Sequence, residues 1–135
     1  MAKLVLTDAS VTINSVDLSD HVQSCTLNYG ADQVEVTSMS DTAHKFVGGL
    51  DNITCDVTLF QDLAASEVEA TVYDLVGTTT TVLIKATSGA VAADNPSYTI
   101  TGAYLASHTP VAGTVGDAAM TTLNFVGGTL AKATS

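Results

Sequence analysis

Apolar and polar residues alternate with a period of two along much of the chain, which predicts antiparallel strands with one face in a core and one in water. Val11-Thr12-Ile13 alternates, passes through Asn14-Ser15, and resumes at Val16-Asp17-Leu18, as a tight hairpin would. Ser19-Asp20 reads as a turn or a single helical turn. Over residues 22–29, Cys25, Leu27 and Tyr29 then point one way, and Ser24, Thr26 and Asn28 the other. Gly30-Ala31-Asp32 reads as a turn, and residues 33–38 alternate again, Val34 and Val36 opposing Gln33, Glu35 and Thr37. Residues 39–51 form an oversized connection, since hairpin loops usually take two to five residues. Residues 52–60 return as a strand, with Ile53, Cys55, Val57 and Leu59 on one face and Thr54, Asp56 and Thr58 on the other.

The period changes once. Val68, Val72, Leu75 and Val76 fall at i, i+4, i+7 and i+8, an apolar helical stripe. Ser66-Glu67-Val68-Glu69 has the spacing of a capping box, and Gly77 stands where a helix would stop. A helix over about 66–76 follows. Further strands are expected at 80–87, around 98–107 and at 120–126, where Leu123 and Phe125 turn inward and Thr122 and Asn124 outward. Residues 127–135, opening on Gly127-Gly128, read as a frayed tail. The fold class is mainly β: antiparallel strands with one short helix, forming a single domain over residues 1–135. That length suits one core, as about two-thirds of the unfolded surface can be buried.

Composition sharpens this. At 46% hydrophobic and 13% charged, the chain is not disordered. Four lysines against 14 acidic residues give a net charge of −10, and there is no arginine. Gripping nucleic acid through phosphate neutralisation is thereby excluded. The first residues hold too short an apolar run for a signal peptide, and no apolar stretch is long enough to span a bilayer, so a cytosolic setting is expected. Cys25 and Cys55 show no CxxC spacing and are expected as buried free thiols.

Candidate chemistry is sparse. His21, His44 and His108 could ligate a metal with Cys25, Cys55, Asp17 or Asp20, but no recognised spacing joins four ligands, and turn histidines account for them. No G-x-S-x-G elbow or Cys–His signature is present. The carboxylate pairs Asp17/Asp20 and Glu67/Glu69 fit a turn and a helix start. The Asn52-Ile53-Thr54 sequon carries no weight without a secretory leader, and the glycine pairs lack the context of a phosphate cradle. No enzyme activity, metal or cofactor is expected. What stands out is a polar strand face built from Ser24, Thr26, Asn28, Gln33, Glu35, Thr37, Thr54, Asp56, Thr58, Thr122 and Asn124, without a lysine. Any half-exposed antiparallel sheet shows such a face, so alone it carries no function.

The order of motifs adds to this. Val11-Thr12-Ile13-Asn14-Ser15-Val16-Asp17-Leu18-Ser19-Asp20-His21-Val22 resembles the opening of the major tail (tail tube) proteins of long, non-contractile-tailed phages, which commonly read V-x-I-N-G-x-D-L-S-x-x-V; here Ser15 replaces the glycine. Gly48-Gly49-Leu50, Phe60-Gln61-Asp62-Leu63-Ala64-Ala65, Leu75-Val76-Gly77-Thr78 and the stretch from Thr109-Pro110 through Gly116-Asp117 are similar too, in order along nearly the whole chain.

The resemblance implies an antiparallel β-sandwich or barrel with one short helix, a structural virion protein of the phage tail, assembled in the host cytoplasm as stacked hexameric rings that conduct DNA without binding it specifically. Four strands per subunit would line the lumen, making the polar set above lumen-facing. The 39–51 connection, with Asp41, Thr42, His44, Lys45, Phe46, Gly48 and Gly49, would reach a neighbouring ring, Phe46 anchoring it. Tape-measure, tail-terminator and baseplate or distal tail proteins would be partners, and membranes would not. A capsid-decoration or carbohydrate-binding sandwich is the competing reading, disfavoured by 5% aromatic residues and no tryptophan for a binding platform.

Overall fold

Asn14 and Ser15 adopt φ of 51° and 68°, closing β1 (Ser10–Ile13) onto β2 (Val16–Asp17) through two left-handed residues. The computed structural model describes residues 5–64 and 67–134. A 3-10 turn at Ser19–His21 follows, held by Asp17, whose carboxylate accepts from the Ser19 amide at 2.9 Å and from its hydroxyl. The Ser19 hydroxyl oxygen in turn accepts from the Val11 amide at 2.9 Å.

β3 (Val22–Glu35) and β4 (Phe46–Phe60) form a hairpin far longer than the sequence suggests. Gly30-Ala31-Asp32 is not a turn. β3 runs through it, and β4 absorbs the irregularity as a bulge, taking three steps (Asp51 to Gly48) against two on β3 (Ala31 to Gln33). The connection is thus 36–45 instead of 39–51, and Phe46, Gly48 and Gly49 belong to β4. Small residues allow this crossing: a Cβ on Gly49 would lie 3.2 Å from the Asp32 Cβ and 3.3 Å from Val34.

Helix α1 (Val68–Val72) continues as a 3-10 turn, Tyr73–Leu75, and is shorter than the expected 66–76. Val68 and Val72 are fully buried and Leu75 partly so, but Val76 lies beyond the helix and is 42% exposed. Glu67 is the N-cap, and Glu69 reaches across to His108. Ser66 lies outside the described residues. Gly77, at φ 82°, ends the segment.

β5 (Thr79–Lys85), β6 (Ser97–Ser107), β7 (Met120–Val126) and β8 (Thr129–Ala133) complete an antiparallel sheet in the order β2-β1-β5-β6-β7-β4-β3. β8 pairs with β6, so the expected frayed tail contains an ordered strand. β6 is where the sheet folds over. One edge carries β5; the other carries β8 along Ser97–Thr101 and then β7 from Tyr104. Gly102 (φ 79°) sits at the changeover, and Gly127 and Gly128 (φ 76° and 92°) turn β7 into β8 against it. A Cβ at Gly128 would lie 2.7 Å from the Thr101 carbonyl oxygen, so only glycine fits.

Both halves of the folded sheet turn their apolar sides to one core. It holds Val11 and Ile13 of β1, Ile53 to Leu59 of β4, Val82 and Ile84 of β5, Ile100 and Leu105 of β6, Leu123 and Phe125 of β7, and α1.

Candidate functional site

Three strands bring most of the predicted polar residues onto one surface. Register places Ser24 beside Thr58 and Thr58 beside Thr122, then Thr26 beside Asp56 beside Asn124, then Asn28 beside Thr54. These rows face solvent, with Thr54 and Thr58 half-buried. The reverse rows, Cys25–Val57–Leu123 and Leu27–Cys55–Phe125, face the core. Asp56 is the one charged residue among 22–30, 52–60 and 120–126.

Gln33, Glu35 and Thr37 do not join this face. The extra residue of the bulge lies in β4, so alternation along β3 continues unbroken and gives Gln33 and Glu35 the parity of Cys25 and Leu27. Thr37 lies beyond β3, bound to Glu35 at 2.9 Å. Sequence reasoning in turn missed Ser107. A strict period of two from Leu105 turns Ser107 inward, but the shift between the pairs Leu105–Phe125 and Ser107–Asn124 brings it out beside Asn124. β6 thereby supplies a fourth strand to the polar face.

At the end of this face near Gln23, Thr58 and Thr122, the loop over residues 108–119 encloses an open cleft of about 670 Å³. The loop is pinned from within by a chain of hydrogen bonds. Thr109 donates to Thr121 at 3.2 Å, Thr121 to His108 Nδ1 at 2.9 Å, and His108 Nε2 to Glu69 at 2.8 Å. Gln61 Nε2 donates to the Pro110 carbonyl at 2.7 Å. His108 is thus a buried structural link between α1 and the loop, not a surface histidine.

At the opposite end the β3–β4 hairpin extends as an arm. Its tip is ordered: Asp41 bonds Lys45 Nζ at 2.8 Å and accepts from the Ser38 amide at 2.7 Å, which hold its carboxyl below the usual range. His44 bonds Glu35, and its ring centroid lies 6.5 Å from that of Phe46. Thr42 is exposed, as are Tyr29, Val34, Val36, Met39, Phe46, Val47 and Leu50, an apolar load unusual for a solvated hairpin. On its outer side β3 has no partner strand among the described residues, leaving a 14-residue edge with neither proline nor lysine to block pairing.

His21 does not meet Cys25 or Asp17 as a ligand set. Its Nδ1 lies 2.9 Å from Asp20, and its Nε2 lies 3.0 Å from Asp62 and 3.6 Å from Glu67. The Asp62 hydrogen bond, opposed by partial burial, raises the imidazole above its ordinary pKa.

Cys55 is fully buried and desolvation pushes its thiol up to about 12; Cys25 is only partly buried, which raises its thiol as well. The two sit diagonally, since Cys25 opposes Val57 and Cys55 opposes Leu27. At pH 8 a bulky maleimide leaves Cys55 unmodified in the native protein and modifies both thiols in denaturant. Rapid native labelling of Cys55 would place it outside the core.

No protein-family profile and no curated protein matches this sequence. Solved structures do match. A chain in the anti-feeding prophage tube-terminating cap superposes with a TM-score of 0.73 at 11% identity, covering 100% of this chain and 93% of that one. One in the sheath/tube terminator of the PVC extracellular contractile injection system gives 0.73 at 11%, covering 98% and 97%. One in the virion of the native gene transfer agent gives 0.63 at 14%, covering 93% and 95%. These are components of phage-like particles, and at such identities the likeness establishes the fold. The chain has a tail-tube-like fold, mostly antiparallel sheet with one short helix.

Proposed function

We propose that the chain is a structural tail-tube subunit, without catalytic activity, that assembles into stacked hexameric rings around a DNA-conducting channel. The observation that carries this reading is the long open edge of β3 beside a lysine-free polar face. A monomer leaving such an edge bare invites uncontrolled pairing, whereas a ring of copies covers it. Six copies contributing β3, β4, β7 and the end of β6 make about 24 strands. At about 4.8 Å spacing and roughly 40° tilt they close a barrel about 45–50 Å across, wide enough for duplex DNA after side chains are placed.

Ser24, Thr26, Asn28, Thr54, Asp56, Thr58, Thr122 and Asn124, with Ser107, then coat the lumen with hydroxyls, amides and one carboxylate per copy. Such a coat offers DNA phosphates no cation, and six copies of −10 charge give about −60 per ring to repel them. The arm and the cleft under residues 108–119 lie at opposite ends of that face, the arrangement a head-to-tail stack needs. Following the sequence resemblance, the tube is the bare one of a non-contractile tail, ending on terminator, tape-measure and distal tail proteins.

Negative-stain microscopy of concentrated protein tests the reading: six-fold rings or tubes support it, and monomers at every concentration refute it. Replacing Asp56 with lysine adds about +12 charges per six-copy ring while leaving folding and tube assembly intact, because the residue is exposed. DNA ejection then slows at low salt and recovers as salt rises. Unchanged ejection at low salt would move Asp56 to the outer wall.

A further inference from the structure

We propose that His21, Asp62 and Glu67 form a binding site for a single divalent transition-metal ion, with zinc as the favoured occupant. Three separate segments meet here: the 3-10 turn before β3, the exit of β4, and the residue that caps α1. The three ligand atoms lie within 4.8 Å of one another. Bonds of about 2.1 Å at tetrahedral angles require donors about 3.4 Å apart. The 3.0 Å and 3.6 Å separations from His21 Nε2 to Asp62 and Glu67 bracket that value, so an ion seats with small adjustments.

The surroundings favour a metal over a chance cluster. Asp20 lies 2.9 Å from Nδ1 and holds the ring with Nε2 between the two carboxylates, so that an ion bound there takes the place of the proton shared with Asp62. A carboxylate behind a ligating histidine is the usual outer-shell arrangement and orients the ring. Charge points the same way: Asp20, Asp62 and Glu67 supply three negative charges, and among the described residues no lysine pairs with any of them. Even a protonated His21 leaves this corner about two charges negative. A divalent ion neutralises the excess and replaces the single proton between Nε2 and Asp62 with a charge that all three donors share. One imidazole with two carboxylates suits zinc better than calcium or magnesium, which prefer all-oxygen shells. Three protein donors leave one position for water.

Zinc titrated calorimetrically into chelator-treated wild-type protein is expected to bind at one site per chain. Asp20→Asn removes no ligand and changes an exposed residue, so the protein stays folded; affinity is expected to fall about 10–100-fold. His21→Gln is expected to abolish the site, with circular dichroism confirming the fold. His44→Gln is expected to leave binding unchanged, because His44 sits on the arm beside Glu35. Absence of zinc binding by wild type, or equal binding by folded His21→Gln, overturns the proposal. Equal affinity in Asp20→Asn removes the outer-shell argument and counts against it too. Calcium binding tighter than zinc would likewise refute the assigned ion class.

Discussion

Replacing residues 37–44 with Asn-Gly abolishes tubes while leaving a folded, soluble subunit. The junction is favourable because the Val36 amide donates to the Lys45 carbonyl at 2.9 Å, the rung that a two-residue turn closes. None of the removed side chains belongs to the core. Their loss therefore costs under about 1 kcal/mol, and Tm moves by a few degrees at most. Assembly loses much more. The deletion removes Met39 together with the Asp41 and His44 contacts that shape the tip, and truncates the surface we assign to the next ring. Buried anchors at interface centres carry most of the binding energy, so stacking is expected to fail outright. Sedimentation and negative-stain microscopy read the result: single rings or monomers are expected. Tubes of normal length would show that the arm tip makes no essential contact.

Phe125→Ala is expected to destabilise the fold by about 3–5 kcal/mol, lowering Tm by roughly 10–20 °C. Phe125 is the largest fully buried side chain and lies between Cys55 of β4 and Leu105 of β6. Its removal opens a cavity where the polar-faced strands meet the core, and dense packing lets such cavities collapse only partly. Thr122→Ala is the matched control. It changes an exposed residue of the same strand on the opposite face and is expected to cost under about 0.5 kcal/mol. Urea unfolding of both variants checks the pair. Equal costs would mean that β7 does not separate a core face from a solvent face.

Elements whose cause is local were legible in the sequence. Asn14-Ser15 closes a hairpin because the turn's geometry depends on those two residues, and the parity of residues 24–28, 54–58 and 122–124 follows directly from alternation. The stripe of Val68 and Val72 marked the helix, although not its end: after Val72 the chain tightens to a 3-10 turn and Val76 leaves the core. The fully buried Cys55 was equally legible from its strand's alternation, whereas Cys25 proved only partly covered, because β3 is an edge strand with one flank open.

What escaped the sequence depends on distant backbone. Gly30-Ala31-Asp32 has turn composition, yet pairing with β4 overrides that preference, and the bulge near Gly49 takes up the mismatch. Because β3 runs through residues 30–32 with its alternation unbroken, Glu35 leaves the face that Asp56 keeps, and an irregularity in β6 puts Ser107 onto it. Alternation does not foresee where pairing carries a strand through turn-like residues, or where an extra residue breaks the period. Thr129–Ala133 looks like a tail because nothing local holds it; its hydrogen bonds come from β6, which becomes available only once Gly102 and Gly128 let the sheet fold over. His21 meets Asp62 and Glu67 across more than 40 residues because the β3–β4 hairpin pairs Val22 with Leu59. The amino-acid sequence by itself determined the inward and outward faces of the strand segments 24–28, 54–58 and 122–125 that border the core, since those follow from period and polarity. Tertiary structure alone decided which polar residues share a surface, because strand register, bulges and the fold at β6 are set by contacts between segments far apart in the chain.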